Sequence, residues 1–417
     1  MKINHYFIAF LAAMLVSGLT NATRASENTD AFFPLMAWNT LSRDCPTPDK
    51  LGQLELMKKA GFNVAGFLTI DELPLAEKVG LRAIVLDNRS HAYDWSKLDE
   101  KAARASITSL VKEVKDRSVV YGYYVCDEPT VRDIAGVGKV TRIFRELDPE
   151  RWPYVNMLPN SADPKDIGTD YPKFLGDFIA AADPNIISVD DYSLMSGDEA
   201  KNPGITARYY STLKQLRDAA LKKGIPFWNI ILSMPHRSFV EPTLGNMARQ
   251  VYTSLAYGTK GLAYFCYFTN YSEGSRLGPI DIHGDPTPTY DIVRTLNKDV
   301  LALAPLLNKL TIQRNYFLGK PPKGGDAPPE DAWVVNKKSE DPKANPDILV
   351  GEFRHKNGTR YVMLVNLNVR EAVYFYHQFP GAKGIEQVSQ GDAKHHPHKP
   401  SYLIIGPGMG MLVRIVD

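Results

Sequence analysis

From Phe33 to about Leu310, short apolar runs alternate with amphipathic stretches, and this alternation is the sequence sign of βα units laid on a parallel sheet. Eight runs read as strands: Phe33 to Asn39, Asn63 to Thr69, Leu81 to Asn88, Val119 to Asp127, Pro153 to Leu158, Ile186 to Tyr192, Phe227 to Met234 and Gly261 to Phe268. Most are nearly continuous in apolar residues, as expected of parallel strands covered on both faces. Between them, Leu98 to Arg117, Ile205 to Lys223 and Thr243 to Tyr257 read as helices. Gly61, Gly80, Gly224 and Gly258 each stand just ahead of a strand, where a helix stops. Eight such units close into a (β/α)8 barrel, whereas a doubly wound sheet rarely needs that many and usually shows a glycine-rich phosphate loop, which is absent here. The predicted fold class is therefore α/β, a TIM barrel over residues 30–310.

The pattern changes after Leu310. Residues 311–346 read as a linker or loop region, with Gly319 to Asn345 rich in Pro, Gly, Lys and Asp. Ile348 to His355 and Thr359 to Asn366 then flank Asn357-Gly358, a two-residue hairpin signal. With Ala372 to His377 and Gly410 to Val416 they predict a small antiparallel β domain over residues 347–417. At the other end, Lys2 and His5 precede the apolar run Phe7 to Leu19, and Ala22 and Ala25 follow. Residues 1–25 thus read as a secretory signal peptide, and the expected destination is periplasmic or extracellular. That run is short for a bilayer span, and no membrane insertion is expected of the mature chain.

Composition changes the picture little. At 44% hydrophobic and 23% charged the chain is an ordinary globular one, and a formal charge of +2 gives no reason to expect nucleic acid as a partner. Cys45, Cys126 and Cys266 match neither a disulfide framework nor a zinc motif, and the last two fall inside strands as core residues. The run His395, His396 and His398 reads as a solvated loop; no metal and no cofactor are predicted. Nothing in the pattern specifies an oligomeric state.

The candidate chemistry lies at the strand ends. The run Val119-Val-Tyr-Gly-Tyr-Tyr-Val-Cys-Asp-Glu-Pro129 stops on two carboxylates and a proline, which puts Asp127 and Glu128 at the carboxyl end of strand four, where such barrels keep their chemistry. The other ends contribute Trp38 and Asn39, Asp87, Asn156, Asp190, Asp191 and Tyr192, His236, and the aromatic residues Trp228, Tyr264 and Tyr267. Carboxylates, amides and aromatic faces are what a saccharide requires: acids for the glycosidic oxygen and for water or the anomeric carbon, amides for hydroxyls, rings for the C–H surface. Only one of the adjacent Asp190 and Asp191 can face the mouth squarely, because neighbouring strand side chains point oppositely.

Over roughly residues 33 to 310 the chain resembles the (β/α)8 glycoside hydrolases. Asp127-Glu128-Pro129 is similar to the Asn-Glu-Pro acid at strand four of the large retaining clan that includes many β-galactosidases and cellulases. Tyr257-Gly-Thr-Lys-Gly-Leu-Ala-Tyr-Phe-Cys-Tyr267, with Pro279 to Tyr290, looks like the strand-eight region of barrel β-galactosidases. The resemblance implies an exported glycosidase with Glu128 as general acid. The clan's strand-seven nucleophile is not matched: Ile230-Ile-Leu-Ser-Met-Pro-His-Arg-Ser238 holds no Glu, and Glu241 and Glu273 come later. Three arrangements therefore stay open. Glu128 works with Asp190 or Asp191 as base or nucleophile; Asp127 and Glu128 act as a pair, as in substrate-assisted hexosaminidases; or the barrel binds carbohydrate without turnover.

Overall fold

The computed structural model describes residues 32–41, 49–197, 203–270, 274–337 and 346–417. The predicted signal peptide, Cys45, Glu273 and residues 338–345 of the predicted linker lie outside them.

Eight parallel strands close into a barrel in sequence order: β1 (Leu35–Ala37), β2 (Val64–Leu68), β3 (Arg82–Val85), β4 (Val120–Asp127), β5 (Trp152–Met157), β6 (Ile187–Asp190), β7 (Phe227–Leu232) and β8 (Leu262–Phe265). Closure is made by β8 against β1, with Met36 opposite Ala263. Each strand lies inside the run predicted for it or overshoots by one residue. Helices Glu100–Val114, Pro203–Lys223 and Leu244–Ala256 fill the predicted intervals, and the four glycine stops have φ between +73° and +90°. The lumen is packed by Met36, Val64, Phe67, Ile84, Tyr154, Trp228 and Ile230, while the outward-facing strand residues share a second, larger core with the helices. Trp228 enters the lumen low, beside Trp152 and Tyr121. It fits because residue 261 is glycine: a Cβ there would stand 2.3 Å from the indole nitrogen.

Strand β4 departs from strict alternation. Its ladder with β5 slips between Tyr124 and Cys126, and such a bulge lets both Tyr124, packed on Phe67, and Asp127 turn into the barrel although they are three residues apart.

The C-terminal part is a sandwich. One sheet has six antiparallel strands in the order β15 (His395–His398), β14 (Gly384–Val388), β17 (Gly410–Val416), β12 (Arg360–Asn366), β11 (Ile348–His355) and β9 (Leu310–Leu318). The other has three, β10 (Val335–Asn336), β13 (Val373–Gln378) and β16 (Tyr402–Ile405). Two expectations are corrected. Leu310–Leu318 is a full sheet strand rather than the head of a linker, its Leu310 and Ile312 buried with exposed Thr311 and Gln313 alternating between them, and its end, Asn315 to Leu318, buried throughout. The histidine run is an edge strand, not a loop, paired with β14.

Candidate active site

At the carboxyl ends of the barrel strands lies a cavity of about 540 Å³, a volume suited to a small-molecule or sugar-unit ligand. Trp38, Asp127, Glu128, Asn156, Asp190, Tyr192 and His236 line it, as do Ser196, Arg237, Phe239 and Phe265. The acids come from the two strands that flank β5: Asp127 and Glu128 from the end of β4, Asp190 from the end of β6. Between them Asn156 of β5, 1% exposed, donates from one amide nitrogen to Asp127 Oδ1 at 3.0 Å and to Asp190 Oδ1 at 2.9 Å. Its Oδ1 accepts from Ser188 Oγ at 3.3 Å, and Ser188 in turn meets the Tyr154 hydroxyl at 2.9 Å. This buried network fixes which way the amide points, and hence where both carboxylates stand. The two Asp oxygens bound to Asn156 can be no farther apart than those two hydrogen bonds laid end to end.

Glu128 follows at φ +47°, its backbone N–H bonded to Asn156 O at 2.8 Å, so a left-handed residue turns its carboxyl over the cavity. All three acids hold their protons above the ordinary carboxylate range. For Asp127 the cause is burial, opposed by the Asn156 hydrogen bond. Burial is also the first cause for Glu128, followed by the charge of Asp127, with Arg237 pulling the other way. Asp190 is raised most, by burial and then by the charges of Glu128 and Asp127. Glu128 and Asp190 therefore titrate as an interacting set: ionising one makes the other harder to ionise.

The opposite wall is aromatic. Tyr192 stacks on Phe265 at 5.8 Å and presents its edge to Phe239 at 5.9 Å, while His236 lies 5.7 Å from Phe265. Trp38 closes the floor, edge-on to Phe67 and Phe265. Among the described residues, no group of three or more His, Cys, Asp or Glu side chains is gathered for a metal ion.

The structure brings Asp127, Glu128, Asp190, Asn156, Trp38, Tyr192 and His236 together and leaves six predicted site residues elsewhere. Asp191, 1% exposed, turns into the helical layer, where its oxygens accept from Ser193 N at 3.0 Å and Thr212 Oγ1 at 2.7 Å. It anchors a turn. Asp87 caps the helix Asn88–His91 and pairs with Arg89 at 2.8 Å, which holds its carboxyl below the usual range. Asn39 lies outside the cavity lining, exposed at φ +52°. Trp228 is lumen packing. Tyr264 and Tyr267 point outward, fully buried against Phe62 at 5.3 and 5.4 Å. Phe265, one residue from Tyr264 and so on the opposite face, is the β8 ring that reaches the cavity. Glu241 pairs with Arg276 at 3.2 Å outside this cavity, so among the described residues no glutamate from the β7 end enters it. Arg237 was legible only as the neighbour of His236.

Comparison with solved structures places the fold in a known architecture. A β-galactosidase from Bacillus circulans sp. alkalophilus superposes with a TM-score of 0.61 over 93% of this chain and 99% of that one, at 10% identity. The glycoside hydrolase family 5 structure from Bacteroides vulgatus ATCC 8482 gives 0.56 over 93% and 90%, at 13% identity. A β-galactosidase from Marinomonas ef1 gives 0.51 at 11% identity over 66% of this chain, which spans only 62% of that one. The shared property is the fold. No protein-family model and no curated protein sequence matches the chain.

Proposed function

We propose that this protein is a glycoside hydrolase in which Glu128 donates a proton to the glycosidic oxygen and Asp190 is the second carboxylate, acting on water or on the anomeric carbon. One observation carries the reading: Glu128 and Asp190 line the same aromatic-walled cavity, close enough that the charge of Glu128 raises the proton affinity of Asp190. Glycoside hydrolysis needs one protonated and one ionised carboxyl flanking the bond, and two interacting acids that resist ionising together supply that state. Glu128 is exposed to solvent, whereas Asp190 is the more covered of the two.

The test is a screen of plant, host and microbial glycans, with the product anomer followed by NMR, on the parent and on Glu128→Gln and Asp190→Asn. Both variants are expected to lose about 10²- to 10⁴-fold in kcat while still binding glycan. A parent that binds glycans without cleaving them would leave a carbohydrate-binding barrel; full activity in Glu128→Gln would overturn the assignment.

A second reading has its own support, since Asp127 also reaches the cavity and is steered by Asn156. In that reading the substrate carries an N-acetyl group that Asp127 orients as internal nucleophile while Glu128 protonates the leaving oxygen. Cleavage restricted to N-acetylated glycosides, and lost in Asp127→Asn, would select it. The predicted signal peptide motivates the further proposal that the mature chain is exported, which N-terminal sequencing of the product expressed with its leader tests.

A further inference from the structure

A sugar's hydroxyls can be read by fewer residues than line the cavity. Asn156 is already occupied: its amide nitrogen donates to Asp127 at 3.0 Å and to Asp190 at 2.9 Å, and its oxygen accepts from Ser188 at 3.3 Å. Ser193, also in the lining, donates its hydroxyl hydrogen to Asp191. His236, from the loop that follows β7, is placed differently. Its Nδ1 lies 3.3 Å from Met234 O. A carbonyl only accepts, so Nδ1 carries the proton of the neutral imidazole and Nε2 holds a lone pair. Among the described residues Nε2 has no hydrogen-bond partner, and it is not sealed from solvent, on a ring that lines the cavity.

The ring is held before any ligand arrives. It meets Phe239 at 5.0 Å, Phe265 at 5.7 Å and Tyr192 at 6.4 Å, in each case edge to face, a geometry that aromatic rings prefer. The loop Pro235-His236-Arg237-Ser238-Phe239 closes on itself through Phe239 N and His236 O at 3.1 Å, with Arg237 at φ +49° inside the turn. Met234, whose carbonyl orients the ring, has its own N–H bonded to Phe265 O of β8 at 3.2 Å, and Arg276 N donates to Pro235 O at 3.1 Å. A lone pair fixed in this way by rigid elements is specific for a donor. A hydroxyl matches it. A hydrogen or an ether in the same place leaves Nε2 without a partner, and a site built to bond a hydroxyl discriminates against the analogue that lacks it.

Resting on the glycosidase reading above, we infer that His236 is a specificity-determining residue whose Nε2 accepts a hydrogen bond from one hydroxyl of the sugar seated in the cavity. The substrate is then a glycoside of a sugar left unsubstituted at that hydroxyl. Methylation or esterification there removes the donor and adds bulk beside Phe239 and Phe265. In this arrangement Glu128 and Asp190 carry the proton chemistry, and His236 selects the sugar presented to them from the β7 wall.

The experiment is a double-mutant cycle between side chain and ligand. For the p-nitrophenyl glycoside that the parent cleaves best, kcat/KM is measured with the full sugar and with each of its monodeoxy analogues, on the parent, His236→Phe and His236→Gln. Phenylalanine keeps a ring for Phe239 and Phe265 and removes the acceptor; glutamine restores an acceptor oxygen. The parent is expected to discriminate against one analogue about 10- to 100-fold, as for a hydrogen-bonding group left unpaired. His236→Phe should lose that discrimination and keep those at the other positions, and His236→Gln should regain part of it. Discrimination unchanged at every position in His236→Phe overturns the inference and leaves the glycosidase reading intact. Should circular dichroism show that neither variant folds, nitrogen-15 NMR of the histidine-labelled Glu128→Gln protein replaces the cycle. The Nε2 resonance should be that of an unprotonated imidazole nitrogen and should move on adding the full glycoside. A protonated Nε2, or one unmoved by a glycoside that the same sample binds, overturns the inference. If the parent cleaves no glycoside and Glu128→Gln binds none, the glycosidase reading falls and the inference with it.

Discussion

Asn156 holds two carboxylates with one amide nitrogen, but burying and crowding those acids still costs the fold stability. Asp190 is crowded by burial and by the charges of Glu128 and Asp127, so its proton affinity in the folded chain exceeds that in the unfolded one. Between the two pKa values the folded state binds more protons, and stability therefore falls as pH rises through that window. Asp190→Asn keeps an oxygen for Asn156 and removes the charge. It should be more stable than the parent at pH 7, on the order of 1 kcal/mol as at other active-site acids, and the gain should vanish towards pH 3; thermal melts at the two pH values check it. A variant less stable at pH 7 would mean that Asp190 is a satisfied anion. Residue-level legibility follows from the same physics. That an acid would reach the mouth was readable from the strand end, but which of Asp190 and Asp191 does so depends on parity, and Thr212 on a distant helix claims Asp191. Tyr264 and Phe265 differ in the same way, because a one-residue change of face is invisible in composition.

At the scale of elements the reading was surer, because strand runs and helix stops are local. Long β-branched and aromatic runs fixed all eight barrel strands, and glycines fixed four helix ends. Strand β9 was missed because only Leu310 to Gln313 alternate cleanly, and because it follows directly on the helix Pro288–Leu307 and precedes a Pro-rich stretch. The bulge in β4 has no sequence signature, yet it delivers Asp127 to the cavity. Two glycine stops allow a controlled comparison. Gly80, at φ +73°, has open space where a Cβ would go, whereas at Gly258, φ +90°, a Cβ would lie 2.8 Å from Ile312 of β9. Gly80→Ala should cost about 1 kcal/mol, the strain of a left-handed alanine alone. Gly258→Ala should cost more, since it also pushes the barrel from the β sandwich. Urea midpoints with equal slopes test the order, and equal losses would show that the Ile312 contact yields freely.

The whole molecule behaves as one packed body, and this bears on how the catalytic cavity is kept in shape. Leu349, Phe353, Met363, Val365 and Leu412 of the six-stranded sheet belong to the same core as the barrel helices, while the opposite face packs inside the sandwich. Contact is close because small residues permit it: a Cβ on Gly351 would stand 2.2 Å from Ala256 O, and one on Gly245 would stand 2.1 Å from Val369 O. Polar groups are matched across the same seam. Asn315 donates to Ala256 O at 2.7 Å and accepts from Arg217 at 2.5 Å, and Gln390 donates to the Tyr252 hydroxyl at 2.8 Å. The helix Leu244–Ala256 lies between the sheet and β7, whose Leu232 exchanges hydrogen bonds with Gln250. The sandwich thus braces the helix behind the strand that ends in the Arg237 loop. Separating the parts would expose the apolar sheet face and break the buried bonds of Asn315 to Ala256 O and of Arg217 to Asn315, a larger loss than an interface of loosely docked domains carries. The full chain should therefore melt in one calorimetric transition, and Gly351→Val should lower that single midpoint rather than split it. Two resolved transitions in the parent would show that the sandwich unfolds independently, and the bracing of the β7 wall would then have to come from the barrel alone.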